Sequence, residues 1–157
     1  VESEESVVLD ESNLLLTAAG TRDTAAFVEK LCMHFDPSFS PKRGMLQGKK
    51  VLIIAGEGYE DLELYVPVME FLYRGASVTI ATFKPPLRSR PATVGTFPLA
   101  IGNYGSSVPL QEIPDKDYRI VELDKLNPNA NDVVVAVGGF SAWNMVVAKH
   151  PIGFLKK

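Results

Sequence analysis

Four carboxylates, Glu57, Glu60, Asp61 and Glu63, fall within seven residues of AGEGYEDLELYVP (Ala55–Pro67). The apolar run VLIIA (Val51–Ala55) leads directly into them. Like charges so close repel, and an acid beside a buried strand end is costly unless something holds it there. One reading is structural. Acids in the first turn of a helix complement its dipole, at about 0.3–1 kcal/mol each, and that suits Glu60 and Asp61. Glu63 reads differently. It borders an apolar stripe through Leu62 and Val66, and Pro67, four residues on, has no N–H for the Glu63 carbonyl. A half-buried acid in a distorted turn favours the protonated form and acts as a hydrogen-bond donor. Glu63 is therefore the catalytic candidate.

The second candidate is Gly138-Gly139, directly after VVVAV (Val133–Val137). Two glycines at a strand end let backbone N–H groups face a ligand with no Cβ in the way, as an oxyanion site requires. The structural alternative is a tight strand-to-helix turn. Both candidates follow buried strands, and ligands of open α/β sheets bind beyond the carboxyl ends of strands. Gly56-x-Gly58 invites a dinucleotide reading, but the third glycine of that fingerprint falls at Asp61, whose charge repels a pyrophosphate. No cofactor is expected. Cys32, on the apolar face of its helix, reads as a buried structural thiol. His34 and His150 have no ligand spacing and read as surface residues, so no metal is expected. Trp143 reads as packing.

Strands and helices must place these groups. VLIIA is a strand buried on both faces. Leu62, Val66, Met69 and Leu72 or Tyr73 mark the buried side of a helix that Gly75 ends, and Ser77–Phe83 is a second buried strand. Strand, helix and strand at this spacing predict a parallel sheet with a right-handed crossover. Short strands are predicted at Phe97–Ile101 and Ser107–Leu110, an edge strand at Tyr118–Leu123, a turn at NPNAND, and a third buried parallel strand at Val133–Val137. A helix starts at Phe140. Upstream, Val7–Thr17 reads as two strands about a turn at Glu11–Asn13. Gly20–Phe35 reads as a helix capped by Thr21 or Asp23, with a buried stripe of Val28, Leu31, Cys32 and Phe35. DPSFSPKRGMLQGKK is a linker.

The chain has 157 residues, one ordinary domain's worth, and an apolar fraction of 46% that suffices for a core. A net charge of −3 with scattered Lys and Arg leaves no footprint for nucleic acid. No apolar run approaches a membrane span. One cysteine allows no internal disulfide and fits a reducing, cytoplasmic compartment. VESEESVV is acidic where a signal peptide would be basic, and a chain that starts at Val1 reads as a processed protein or a fragment.

KKVLIIAGEGYEDLELYVPVMEFLYRGASVTIATF resembles the opening strand, helix and strand of the ThiJ/PfpI family, the parkinsonism-associated deglycase and intracellular-protease group with a glutamine-amidotransferase-like fold. The shared pattern is a buried strand, a small loop, E-D-x-E, and Pro four residues after the last acid. DVVVAVGG resembles the family's later strand and its P-G-G turn, with Val137 in place of the proline. The resemblance places the family's conserved acid, which hydrogen-bonds the nucleophile, on Glu63, and its oxyanion-side backbone on Gly139. It implies an elbow cysteine farther along the polypeptide than Lys157. VVLDESNLLLTAAGTRDTAAFVEKLC resembles the end of such a domain. Residues 1–36 are thus expected to be the C-terminal strand and helix of a preceding domain, 37–48 a linker, and 49–157 the N-terminal half of a second domain, as in plant-like tandem members.

The expected fold is a three-layer α/β/α sandwich with a mainly parallel sheet, incomplete in this chain. The missing sheet would come from a homo-oligomer or a complementary fragment. The expected function is action on small aldehydes such as methylglyoxal, on glycated groups or on peptides, through a cysteine assisted by Glu63. The alternative is a non-catalytic, chaperone-like or stress-response binding protein on the same fold, because fold alone does not fix function.

Overall fold

A strand that is apolar on every residue is stable only between neighbours on both edges and layers on both faces. The computed structural model, which describes residues 6–20, 23–83, 99–110, 113–114 and 118–156, gives VLIIA such a place. The chain runs β1 (Val7–Asp10), β2 (Leu15–Ala18), α1 (Thr24–Phe35), β3 (Lys50–Ile54), α2 (Asp61–Tyr73) and β4 (Ser77–Thr82). It continues through β5 (Leu99–Ile101), β6 (Ser107–Pro109), β7 (Ile113–Pro114), β8 (Tyr118–Glu122), β9 (Val133–Ala136), α3 (Phe140–Ala148) and α4 (His150–Leu155). Short 3-10 turns at Leu123–Lys125 and Pro128–Ala130 lie between β8 and β9.

The main sheet has the order β7-β8-β4-β3-β9. β8, β4, β3 and β9 are parallel, and β7 is antiparallel to β8. The register Val51↔Val78 and Val51↔Val133 sorts side chains by face. Val51, Ile53, Val78 and Ile80 pack with Leu64 and Val68 of α2. Leu52 and Ile54 pack on the other face with Met145 of α3 and Phe154 of α4. The result is a mixed α/β architecture with a four-stranded parallel sheet and helices on both faces. β1 and β2 form a separate hairpin, as do β5 and β6.

Several expected faces are reversed. On α2 the buried residues are Asp61, Leu64 and Val68, whereas Leu62 and Val66 are exposed; of the expected stripe, Leu72 packs against the core. DLELYVPVMEFLY carries two apolar rows, and the loop before the helix decides between them. Tyr59 is fully buried in the core and Asp61 is buried beneath β5–β6, which fixes the helix phase. On α1, Ala25, Ala26 and Glu29 face inward, whereas Val28, Leu31 and Phe35 are exposed and Cys32 is half-buried. The cause is polar. Glu29 accepts hydrogen bonds from the Tyr73 hydroxyl, from Arg43 Nε at 3.3 Å and from the Lys42 N–H at 3.2 Å. A buried carboxylate needs that set of partners, and it turns the helix to reach them. Lys30 Nζ donates to the Val7 carbonyl at 2.7 Å and ties the first hairpin to the same helix.

β8, expected at the edge, has β7 outside it. β9, expected to be buried on both faces, forms the opposite edge, with Val133 and Val134 exposed. α3 (FSAWNMVVA) has no charged residue: Ser141, Asn144 and Met145 are buried, while Phe140, Val146 and Val147 are exposed. Trp143 is 57% exposed, so it is not core packing. Thr21 and Phe97, named above for a cap and a strand start, lie outside the described residues, as does the His150 side chain. Among the described residues no helix is long and apolar enough to cross a membrane.

The reassigned face of α2 is testable by chemical denaturation. Leu64→Ala should cost about 2–5 kcal/mol as a core truncation, whereas Leu62→Ala should stay within about 0.5 kcal/mol as a surface change. Equal costs would return the helix to its expected phase.

Candidate functional site at the carboxyl edge of the sheet

The loop Gly56–Glu60 leaves β3 and is held from three sides. From α3, the Gly56 N–H donates to Ser141 Oγ at 2.8 Å, Ser141 N–H donates to the Gly58 carbonyl at 3.2 Å, and Asn144 Nδ2 donates to the Glu57 carbonyl at 3.0 Å. From the β5–β6 hairpin, Gly58 N–H donates to the Ile101 carbonyl at 2.8 Å and Asn103 N–H to the Tyr59 carbonyl at 2.9 Å. From the end of β9, Gly139 forms an antiparallel bridge with Tyr59. The Tyr59 hydroxyl lies 2.8 Å from Ser106 Oγ, and burial pushes this phenol well above its ordinary pKa, so it stays protonated.

Each of the four crowded carboxylates accepts backbone N–H groups, and each from a different place. Glu57 Oε2 accepts from Ile101 at 3.0 Å. Glu60, the N-cap of α2, accepts from Glu63 at 2.7 Å. Asp61 accepts from Tyr104 at 2.8 Å and from Ser106 at 3.0 Å. Glu63 Oε2 accepts from Gly138 at 2.6 Å. Glu63 holds the third helical position, where a glutamate commonly turns back to the N-cap N–H; here it reaches across the loop to Gly138 instead.

The structure thus brings Glu63 and Gly138-Gly139 together at the carboxyl edge. It differs from expectation in two respects. Glu63 is exposed rather than half-buried, because α2 turns its other row inward. The Gly138 N–H is engaged by Glu63 rather than open to a ligand. The missing Cβ at Gly138 has a specific use, since one built there would lie 2.5 Å from Glu63 Oε2. Gly139 is more tightly constrained. Its φ is +69°, and a Cβ would lie 2.6 Å from the Gly58 carbonyl oxygen and 2.8 Å from the Glu60 nitrogen.

Asp61 is more than a dipole partner. Burial alone would raise its pKa, but hydrogen bonds from the Ser106 hydroxyl and from the Tyr104 and Ser106 N–H groups outweigh burial and hold it below 3.8. Glu57 is 1% exposed, and its Oε1, with Thr82 Oγ1 and Asn144 Oδ1, has no partner among the described residues. Sequence reasoning missed Ser141 and Asn144. Their signal was two polar residues three apart in a helix with no charge.

Cys32 does not reach this edge. Glu29 of α1 bonds to Tyr73, ten residues from Glu63 and about 15 Å along α2 at 1.5 Å per residue. A cleft of about 570 Å³ lined by Lys50, Ser77, Tyr118, Arg119 and Asn127 opens at the amino ends of the strands, away from Glu63. Among the described residues no cluster of His, Cys, Asp and Glu could hold a metal ion. The chain matches no family model and no curated protein.

Two outcomes follow from this geometry. Gly138→Ala meets only the tip of an exposed side chain, so thermal unfolding should change little while Glu63 swings away. Gly56→Ala would place a Cβ 2.3 Å from the Phe83 ring, which is buried, and should cost about 1–3 kcal/mol. For Asp61, a pKa held below 3.8 in the fold contributes stability that is complete above the unfolded value and is lost as pH falls through the folded one. The stability difference between wild type and Asp61→Asn should therefore be constant near neutrality and shrink below about pH 4. A gap that widens toward low pH would refute the assignment.

Proposed function

We propose that Glu63 and Gly138-Gly139 are the acid and glycine half of a ThiJ/PfpI-type site on a glutamine-amidotransferase-like sandwich, acting on small aldehydes such as methylglyoxal, on glycated groups or on peptides. The observation that carries this reading is the 2.6 Å hydrogen bond from the Gly138 N–H to Glu63 Oε2, which joins the two motifs of the resemblance. The nucleophile is a cysteine supplied by polypeptide beyond these residues. Support for that polypeptide is the exposed edge of β9 and the exposed apolar row of α3, both of which have core sequences. An apolar strand and a helix whose outward row (Phe140, Trp143, Val146, Val147) is apolar belong in an interior. The same surface supports a complementary fragment, or a second copy of the chain, completing the sheet.

The chemistry follows from the anchoring. With Oε2 held by Gly138, Oε1 of Glu63 is the oxygen left to take the thiol proton. The thiolate adds to the aldehyde carbon. The carbonyl oxygen, polarised by the Gly139 backbone, receives the proton back from Glu63, giving a hemithioacetal. A proton shift to the neighbouring carbonyl gives a thioester, which water hydrolyses to a 2-hydroxy acid.

In the complete natural protein, Glu63→Leu should lower kcat/KM for methylglyoxal by about 100-fold or more, the lower range for loss of an acid–base group. Glu63→Gln, which keeps a donor, should raise the thiol pKa less than Leu does, as read from the pH dependence of iodoacetamide alkylation. Equal effects of Glu63→Leu and of the neighbouring control Glu60→Gln would remove Glu63 from its role. A wild-type protein inert toward aldehydes and peptides would favour the non-catalytic reading. The natural protein should also have a native mass well above that of 157 residues; an equal mass with cooperative unfolding would overturn the proposed completion of the sheet.

A further inference from the structure

At the amino ends of the parallel strands, opposite to Glu63, polar side chains stand over a cavity. Lys50 opens β3 and Ser77 opens β4, and the two are paired in register. Thr79 lies two residues along β4, on the same face of the sheet. On that face Leu52 and Ile54 pack with α3 and α4. Among the described residues no part of either helix lines the cleft, and its outer wall is the turn after β8, with Leu126, Asn127 and Ala130. The volume of about 570 Å³ lies within the range of small-molecule sites, roughly 300–1,000 Å³.

The walls are fixed by bonds that leave side-chain donors over. Ser77 N–H donates to the Lys49 carbonyl at 2.8 Å. Asp132, just before β9, accepts Lys49 Nζ on Oδ1 at 3.1 Å and the Lys50 N–H on Oδ2 at 2.9 Å. The Lys50 ammonium itself has no partner among the described residues. Asn127 Oδ1 accepts from the Asn129 N–H at 3.1 Å, which holds the turn and leaves Asn127 Nδ2 as a donor. Tyr118 and Arg119 also line the cleft, but both are engaged with other groups and serve as wall only.

We propose that this cleft binds a small organic carboxylate. The Lys50 ammonium meets the carboxylate, the Ser77 and Thr79 hydroxyls and the Asn127 amide meet its polar groups, and its hydrocarbon body lies against Leu126 and Ala130. No acid is among the described residues lining the cleft, so the ammonium sets its sign. One ammonium matches one negative charge. A phosphate monoester carries nearly two and is best held by a guanidinium fork or a helix N-terminus. The site is separate from Glu63 and stands whether or not Glu63 is catalytic.

The test uses the complete natural protein, labelled with ¹⁵N, and 3-hydroxybutyrate as a probe with one carboxylate, one hydroxyl and a short chain. Saturable shifts are expected at the Ser77 and Thr79 amides and at the Asn127 side-chain NH₂. Lys50→Gln should weaken binding about tenfold or more, the scale of one hydrogen bond to a charged group, and Ser77→Ala several-fold. Both positions are exposed, so melting should be unchanged. The neutral 3-hydroxybutyramide should bind at least tenfold more weakly than the acid, and added salt should narrow that gap. Lys50→Gln binding as tightly as wild type, or amide and acid binding alike, would overturn the assignment of Lys50. Inorganic phosphate binding more tightly than the carboxylate would overturn the ligand class. Absence of saturable shifts would overturn the site, and protection of the Asn127 side-chain NH₂ from solvent exchange would then name further polypeptide as the occupant.

Discussion

A buried carboxylate beside like neighbours needs something other than water to answer its charge, and both Glu57 and Asp61 are buried. In this protein the answer comes from backbone N–H groups, and it dictates how the carboxyl edge is built. Glu57 takes its donor from β5, Glu60 from its own helix, Asp61 from the β5–β6 turn, and Glu63 from the glycines after β9. Three of the acids thus join the loop to segments distant in sequence. These donors offset the repulsion among the acids, because a hydrogen bond from an N–H to a carboxylate is charge-assisted and stronger than a neutral one. The same bonds recruit two elements distant in sequence, the β5–β6 hairpin and the glycines after β9, to one short loop, so the loop is rigid although it is not regular structure.

That constraint propagates inward. Tyr59 and Asp61 must be buried for the loop to close, and their burial sets the rotation of α2. Leu64 and Val68 then face the sheet, and Leu62 and Val66 face outward. Glu63, between the two rows, is left at the rim where it meets Gly138. Pro67 fits this arrangement because it lies four residues after Glu63, where the missing N–H leaves the Glu63 carbonyl without its usual helical donor.

What was legible in the sequence was whatever depends on nearby residues. VLIIA and SVTIATF are recognisable as buried strands, and the strand–helix–strand spacing fixes the parallel crossover. The pairing of E-D-x-E with Gly138-Gly139 could be expected from resemblance. Helix faces were not legible where two apolar rows compete, as in α1 and α2. In both, a polar residue chose the row: Glu29 with Arg43 and Tyr73, and Asp61 with the β5–β6 turn. Those partners lie 14 to 45 residues away, beyond any local periodicity. The position of β9 was hidden for a different reason. Its sequence describes the environment that suits it, and the described residues supply a neighbour on one edge only.

That mismatch bears on the proposed site. Val133 and Val134 project to opposite faces, so covering one face would leave the other wet. A further strand alongside β9, as proposed, would pair its free edge, and helices connected to that strand would cover both faces. The outward row of α3, from Phe140 through Trp143 to Val147, then lies between this added layer and the existing one. Gly139 sits where β9 meets α3, so a strand that paired in parallel with β9 would bring its carboxyl end toward Gly139 and Glu63. A nucleophile at the carboxyl end of that strand would therefore reach the site without any rearrangement of the acidic loop, whose carboxylates are already held by backbone N–H groups.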